Sequence, residues 1–302
     1  MKAVLLSGYG DANELQLRDV PDAHAPRDGI AVRMAGASIN PIDWKMRSGA
    51  AKARFPVTFP VVLGRDASGE VIEVGADVKG FAKGDRVMGL VWGAYAELVA
   101  APADSWAKVP AGFDLADAGA LPLVLLTGGQ LAEEAVNASP GDTVLVTGAT
   151  GSVGRAAVFG AKSRGAKVLA GVRKAYREEA ARLGADGVFA LDDEADLARL
   201  PALGAIADTV GGETTQKLLG KLRPGGTIGS VVGEPAGAKD RGFVVRAFMA
   251  RPDPAMLARY GAAVAEGKVA VPIAQRLPLA QAAEAHRLAE GGHPGGKVLL
   301  LG

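Results

Sequence analysis

Gly148, Gly151 and Gly154 stand three residues apart, behind the apolar run Thr143–Thr147 and ahead of a helical pattern over Ser152–Ser163. A strand that ends in a glycine turn and opens a helix aims the helix's unpaired N–H groups and positive dipole end at one spot. Such a spot suits a pyrophosphate. Glycine serves there because a side chain would block the approach of backbone to ligand. The spacing is GxxGxxG, not GxGxxG, with Ala149 just inside. In a chain with 42 glycines the triplet alone says little. Its context says more: a strand before, a helix after, and a second apolar run, Lys167–Val172, about 20 residues on.

The residues after that second run decide which dinucleotide fits. A carboxylate there would accept from a ribose 2′-hydroxyl. This chain has Arg173-Lys174-Ala175-Tyr176-Arg177 instead. Three cations cannot accept from a hydroxyl, but they can pair a 2′-phosphate. Cations at a helix start also oppose its dipole, so they call for an anionic partner. The cofactor expected is therefore NADPH, with Tyr176 placed to cover the adenine. A solvated basic helix start is the plain alternative.

These residues need a scaffold, and the pattern supplies one. The first third reads as short apolar runs cut by Gly, Pro and Asp: Lys2–Ser7, Gly29–Ala37, Ala67–Val74, Asp85–Val91 and Ala94–Val99. This is the pattern of a small, partly closed β-barrel. Near Asp114 the texture changes. Helical pattern over 115–138, broken near Pro122, leads into strand–helix alternation: Thr143–Thr147, Lys167–Val172, Gly187–Ala190, Ala205–Val210 and Thr227–Val232, with helices between. That alternation predicts a parallel, doubly wound sheet. The tail, with a helix at Met256–Glu266 and a strand at Lys297–Leu301, is expected to return in part to the first domain.

Composition narrows the function classes. The 302 residues carry 34 Lys plus Arg against 33 Asp plus Glu, a net charge of +1, which argues against a nucleic-acid binder. Cysteine is absent, so thiolate nucleophiles, iron–sulfur clusters and cysteine-ligated zinc are excluded. The histidines, His24, His286 and His293, form no HExxH pattern. The apolar start, Met1–Leu6, turns polar at Ser7-Gly8, too soon for a signal peptide. The longest apolar stretch, around Ala118–Leu126, is too short and interrupted to span a bilayer. A soluble cytoplasmic protein, with neither nucleic acid nor membrane as partner, is the expectation.

Taken end to end, the chain resembles the medium-chain dehydrogenase/reductase superfamily, in its zinc-free quinone oxidoreductase branch. The resemblance rests on Asn40-Pro41-Ile42-Asp43-Trp44-Lys45-Met46-Arg47-Ser48-Gly49, Gly64-Arg65-Asp66-Ala67-Ser68-Gly69, Gly84-Asp85-Arg86-Val87 and Gly93-Ala94-Tyr95-Ala96-Glu97. Thr127, the glycine turn, Val210-Gly211-Gly212 and Gly296-Lys297-Val298-Leu299-Leu300 complete it. It implies an N-terminal GroES-like β-barrel catalytic domain (1–115 and 267–302) and a Rossmann cofactor domain (116–266), with nicotinamide and acceptor in the cleft between them. It also implies a homodimer, since relatives commonly form one.

Zinc-dependent relatives carry a Cys ligand where this chain has Asn40, Gly-His-Glu where it has Gly64-Arg65-Asp66, and a second Cys near Leu123. A cation and an apolar side chain at ligand positions cannot hold Zn²⁺. Without a Lewis acid an alkoxide is poorly stabilised, so simple alcohol oxidation is disfavoured. The resemblance implies instead that NADPH delivers hydride to a quinone or to the β-carbon of an α,β-unsaturated carbonyl. Hydrogen-bond donors then stabilise the developing oxyanion.

Asn40 is the expected donor. Arg65 and Lys45 are further candidates, with an ordinary surface cation as the alternative for each. Trp44 stands where many relatives have Tyr and offers an apolar wall rather than a proton. Water is then a source of the proton. Asp43 acts either in the site or as a cap on local backbone. On the cofactor side the resemblance implies Asn40 and Thr127 near the nicotinamide or its ribose, and Ser152 and Val153 at the pyrophosphate. Val232 and Gly233 fall beside the nicotinamide, Phe248 and Met249 at the carboxamide or in simple packing, and Lys297 on the nucleotide side.

Two other readings compete. The turn Gly148-Ala149-Thr150-Gly151 also resembles that of atypical short-chain reductases, yet neither Tyr176 nor Tyr260 is followed by Lys at the fourth position. A non-catalytic NADPH-sensing scaffold is the other, and turnover separates it from an enzyme.

Overall fold

The computed structural model describes residues 1–292 and 295–302; His293 lies outside them. The chain opens with β1 (Lys2–Leu6), β2 (Leu15–Asp19), β3 (Gly29–Ser38), α1 (Pro41–Arg47), β4 (Val61–Val62), β5 (Asp66–Val74), β6 (Arg86–Leu90), β7 (Leu98–Pro102) and β8 (Trp106–Lys108). Next come α2 (Pro122–Gln130), β9 (Thr143–Thr147), α3 (Ser152–Ser163), β10 (Lys167–Val172), α4 (Arg177–Ala180), β11 (Gly187–Ala190), α5 (Glu194–Arg199) and β12 (Leu203–Asp208). Then follow α6 (Gly212–Leu218), β13 (Leu222–Ser230), β14 (Val244–Ala247), α7 (Pro254–Ala265), β15 (Ile273–Pro278), α8 (Ala282–Glu290) and β16 (Lys297–Leu301).

The chain divides into two compact units. One holds Met1–Leu123, Pro252–Glu266 and Val271–Gly302; the other holds Val124–Arg251 and Gly267–Ala270. Helix α7, which the bounds implied by the resemblance group with 116–266, clusters with the first unit. Its Gly261 lies so close to β6 that an added Cβ would stand 2.5 Å from Met88 Cε.

In the first unit the strands run in the order β15-β16-β3-β5-β6-β8, β7 also pairs with β3, and β2-β1-β4 forms a smaller sheet. Strand β3 is the hub, antiparallel to β5, β7 and β16. Its buried Ile30, Val32 and Met34 meet Val71, Val87, Val99 and Leu300 in one core. Each such side chain contributes roughly 1.5–3 kcal/mol when fully buried. The pattern over Ala94–Val99 suggests a strand, but regular pairing starts only at Leu98, with a single bridge from Ala96 to Ala3 before it.

Helix α1 has no clear apolar period and starts from its cap. Pro41 is preset for a first turn, and the Asp43 carboxylate accepts from the Asn40 N–H at 2.8 Å. Its far end is tied down by buried Arg47. Arg47 Nε donates to Gly10 O (3.2 Å), Nη1 to His286 Nδ1 (3.2 Å) and Nη2 to Glu290 Oε2 (2.7 Å).

The second unit is a parallel sheet in the order β11-β10-β9-β12-β13-β14. Strand order therefore reverses between β9 and β12, the switch point of a doubly wound sheet, where ligands bind beyond the carboxyl ends. Buried Asp208 ends β12 there. Its Oδ1 accepts from Thr147 Oγ1 (2.9 Å), Gly211 N (2.9 Å), Val210 N (3.1 Å) and Thr215 Oγ1 (2.8 Å), and its Oδ2 from Ser230 Oγ (3.2 Å). One carboxylate thus joins the ends of β9, β12 and β13.

His286 on α8 is fully buried, and burial with the neighbouring Arg47 charge pushes its pKa down to about 3. Because the folded value lies below the ordinary one, its contribution to stability is complete above about pH 6.5 and is lost as pH falls towards 3. His286→Gln keeps an acceptor for Arg47 but cannot titrate. Urea unfolding at pH 7 and pH 4.5 is expected to show a smaller acid-induced loss of stability in the variant than in the native chain; equal losses refute the assignment.

Candidate active site and cofactor cradle

In the first unit a polar cluster lies where β3 runs into α1. Asn40 is 1% exposed and Asp66, at the start of β5, is 0% exposed. Asn40 Nδ2 donates to Asp66 Oδ2 (2.8 Å) and to Ser38 O (3.2 Å). Asp66 also accepts from Ser38 Oγ (2.5 Å) and Leu123 N (2.6 Å). Lys297 enters from β16. Its ammonium donates to Asn40 Oδ1 (2.5 Å) and Ile39 O (3.2 Å) and stands 3.8 Å from Asp66 Oδ2.

Both ends of the Asn40 amide are therefore engaged within the protein. The amide is held in one orientation, and neither proton is left for an incoming oxygen. Lys297, which the resemblance places on the nucleotide side, has its charge inside the barrel unit. Burial pushes its pKa down, while Asp66 and Asp43 hold it up. A divalent ion among Asn40, Asp66 and Leu123 would meet the Lys297 ammonium, and Leu123 offers it no side-chain ligand, so this donor set does not fit a metal.

Arg65 is 5% exposed. Burial lowers its pKa, while the Asp43 and Asp66 charges raise it. Its Nε donates to Val91 O (2.8 Å), and its guanidinium lies over the Trp92 ring, 3.6 Å from the centroid. Among the described residues neither terminal nitrogen donates to a protein acceptor. Trp92 is 53% exposed and, with Asp43, Met46, Phe55, Val61 and Gly64, lines a cavity of about 340 Å³. Phe55 and Trp92 stand 6.3 Å apart at a tilt of 50°. Trp44 packs against the barrel core instead, and Lys45 points to solvent from the exposed face of α1. The geometry thus brings Asn40 and Lys297 together with Asp66, sets Arg65 on Trp92 where the Asp43 and Asp66 charges act on it, and leaves out Trp44 and Lys45.

In the second unit the glycine turn has the shape of an anion cradle. Gly148 has φ +60°, and a Cβ there would stand 2.6 Å from Thr209 Oγ1. A Cβ on Gly154 would stand 2.2 Å from Gly148 O, so the third glycine allows α3 to pack on the turn. Gly151 is the N-cap of α3 and provides no side-chain cap; a Cβ there would meet only Gly148 O, at 3.3 Å. The first N–H groups of α3, at Ser152 and Val153, thus sit behind an open, side-chain-free rim, which fits a pyrophosphate. Ala149 is buried, its N–H on Gly171 O. Val232 is 49% exposed, and its N–H donates to Ser230 Oγ at the end of β13. Gly233 follows with φ +115°. Thr127 is buried on α2, Phe248 packs in part on the core of this unit, and Met249 is exposed.

The basic cluster is partly neutralised. Lys174 Nζ pairs with Asp193 (3.0 Å), its N–H donates to Asp192 (2.7 Å), and Arg177 pairs with buried Asp196. Arg173 lies over the Tyr176 ring, 5.1 Å from the centroid, and donates to its hydroxyl at 3.3 Å. Sequence pattern passed over Asp66, Ser38, Tyr95 and Trp92, which gain their meaning only from tertiary contact. For Asp66 the available signal was its place beside Arg65, in a run matched to a family motif.

Comparison with known proteins agrees with this architecture. The Alcohol dehydrogenase GroES-like domain family matches residues 26–111, and the Zinc-binding dehydrogenase family matches residues 183–300. The synaptic vesicle membrane protein VAT-1 homolog-like of Mus musculus is 32% identical over 237 residues, 75% of this chain and 55% of its own length. The chain spans little more than half the length of the curated relatives it matches. Among solved structures, the quinone oxidoreductase from Coxiella burnetii is 31% identical with a TM-score of 0.88, over 100% of this chain and 99% of that one. The Escherichia coli quinone oxidoreductase complexed with NADPH is 26% identical with a TM-score of 0.85, over 100% of both chains. With a barrel of GroES-like type, a doubly wound sheet and a full-length match above 30% identity, the chain belongs to the medium-chain dehydrogenase/reductase superfamily, in its quinone oxidoreductase branch.

Proposed function

We propose that the protein is an NADPH-dependent oxidoreductase that works without zinc, as a homodimer, on a small quinone or an α,β-unsaturated carbonyl. The observation that carries this reading is Arg65, a buried cation stacked on Trp92 beside an apolar cavity, with terminal nitrogens that no protein acceptor takes among the described residues. A guanidinium held this way offers N–H donors to a developing oxyanion in a site of low polarity, the task a metal performs elsewhere.

When bound, a reduced nicotinamide supplies a hydride. The chain's own residues do the rest. The Ser152 and Val153 N–H groups receive the pyrophosphate over Gly148, Gly151 and Gly154, and Arg173, stacked on Tyr176, pairs the 2′-phosphate. Lys174 and Arg177 add positive field while paired to their own carboxylates. Thr127, Val232, Gly233, Phe248 and Met249 line the nicotinamide side in this reading. Asn40 acts as a positioning residue, its amide fixed between Lys297 and Asp66. The likeness to a quinone oxidoreductase complexed with NADPH supports the cofactor assignment.

Three outcomes test the reading. Arg65→Met is expected to lower kcat/KM for a quinone by about 10²–10³-fold, the cost of removing one oxyanion donor, with NADPH binding unchanged. Native turnover in the variant overturns the role of Arg65. Arg173→Ala is expected to raise the KM for NADPH about tenfold or more, the scale of one charged hydrogen bond, and to leave the KM for NADH nearly unchanged; equal effects overturn the phosphate assignment. Dialysis against EDTA is expected to leave NADPH oxidation by quinones unaltered, and a loss restored by Zn²⁺ overturns the metal-free reading.

A further inference from the structure

Asp43 has two unlike faces. Its Oδ2 accepts from the Asn40 N–H at 2.8 Å and so caps α1, while Oδ1 takes no donor at hydrogen-bond geometry among the described residues. The residue is 1% exposed, yet it lines the same open cavity as Arg54, Phe55, Val61, Gly64 and Trp92, with Arg54 the one cation in its wall. A carboxyl at the wall of a largely apolar cavity, fixed by one oxygen and with no donor on the other, is built to hold a proton.

We propose that Asp43 is the general acid of the reaction, giving its proton to the acceptor oxygen as hydride reaches the acceptor. The inference rests on the reductase reading above. For a quinone, one hydride and one proton make the quinol. The O–H bond of Asp43 breaks, an O–H bond forms on the acceptor, the nicotinamide is oxidised by two electrons and the quinone reduced by two. Asp43 leaves the step as a carboxylate and is recharged by water. Arg65, stacked behind Trp92 of the cavity wall, steadies negative charge on the acceptor until the proton arrives.

The groups around Asp43 act in both directions. Burial is the largest influence and disfavours the carboxylate, and the Asp66 charge adds to it. The Asn40 N–H, the Tyr95 hydroxyl and the Lys297 ammonium oppose it, and Asp43 and the Arg65 guanidinium attract each other. The balance raises the carboxyl to about 7, the range in which an acid is most useful near neutral pH. The Tyr95 hydroxyl lies near enough to bear on this ionisation but is buried without a partner at hydrogen-bond geometry.

Two measurements on the full chain test the proposal. In protein labelled with ¹³C at aspartate carboxyls, one resonance absent from Asp43→Asn is expected to titrate near pH 7, with no cofactor or acceptor present. In turnover with NADPH and a quinone, native kcat/KM is expected to fall above the same midpoint. Asp43→Asn keeps an acceptor for the Asn40 N–H and is expected to lose that fall along with about 10²–10⁴-fold in rate, while NADPH binding by fluorescence stays native. Tyr95→Phe removes a group that favours the carboxylate, so the alkaline midpoint is expected to move up. An Asp43 resonance titrating with ordinary carboxylates, native rate and pH profile in Asp43→Asn, or an unmoved midpoint in Tyr95→Phe overturns the acid role alone. A native enzyme that reduces no quinone or enal overturns the reductase reading and the acid role with it.

Discussion

The ammonium of Lys297 is the contact around which the barrel unit's polar interior is organised. It fixes the Asn40 carbonyl oxygen and stands beside Asp66, which in turn takes the Asn40 amide, Ser38 and the backbone of Leu123. A lone buried carboxylate or ammonium would cost several kcal/mol, and the pair with its added hydrogen bonds offsets much of that. The cation comes from the last strand. Pairing of Leu299 with Ser38, and of the Ile39 N–H with Val298 O (3.0 Å), sets Lys297 beside Asn40. The far end of the chain thus supplies the charge that fixes the Asn40 side chain at the start of α1.

Much of the scaffold is legible in the residues themselves. The runs Thr143–Thr147, Lys167–Val172 and Gly187–Ala190 are strands at those bounds, and Ser152–Ser163 is the helix that follows the glycine turn. Parallel strands buried on both faces read as continuous apolar runs, and glycine punctuation marks their ends. Helix α1 escapes such reading because it is short and is started by Pro41 and the Asp43 cap rather than by an apolar stripe. Strand β14 escapes because it is a four-residue edge strand with little burial.

The site is less legible than the scaffold. Spacing marks the cradle because its chemistry is local: a turn and the first residues of one helix. The acidic and cationic cluster is not local. Asn40, Asp66 and Lys297 are far apart in the chain, and only the pairing of β3 with β5 and β16 brings them together. Residue type could nominate Asn40 as a donor, but it could not reveal that Asp66 and Ser38 already take its amide protons.

The second unit handles a buried carboxylate differently. Among the described residues the hydrogen-bond donors to Asp208 are hydroxyls and backbone N–H groups, with no cation, so the rim beyond β9, β12 and β13 is gathered by neutral donors. Thr147 and Ser230 sit at strand ends, Val210 and Gly211 at the start of the loop after β12, and Thr215 on α6. The segment beyond Val232 holds none of them and can thus be exchanged for one of different length while the rim keeps its shape, which makes this edge a natural place for loop grafting.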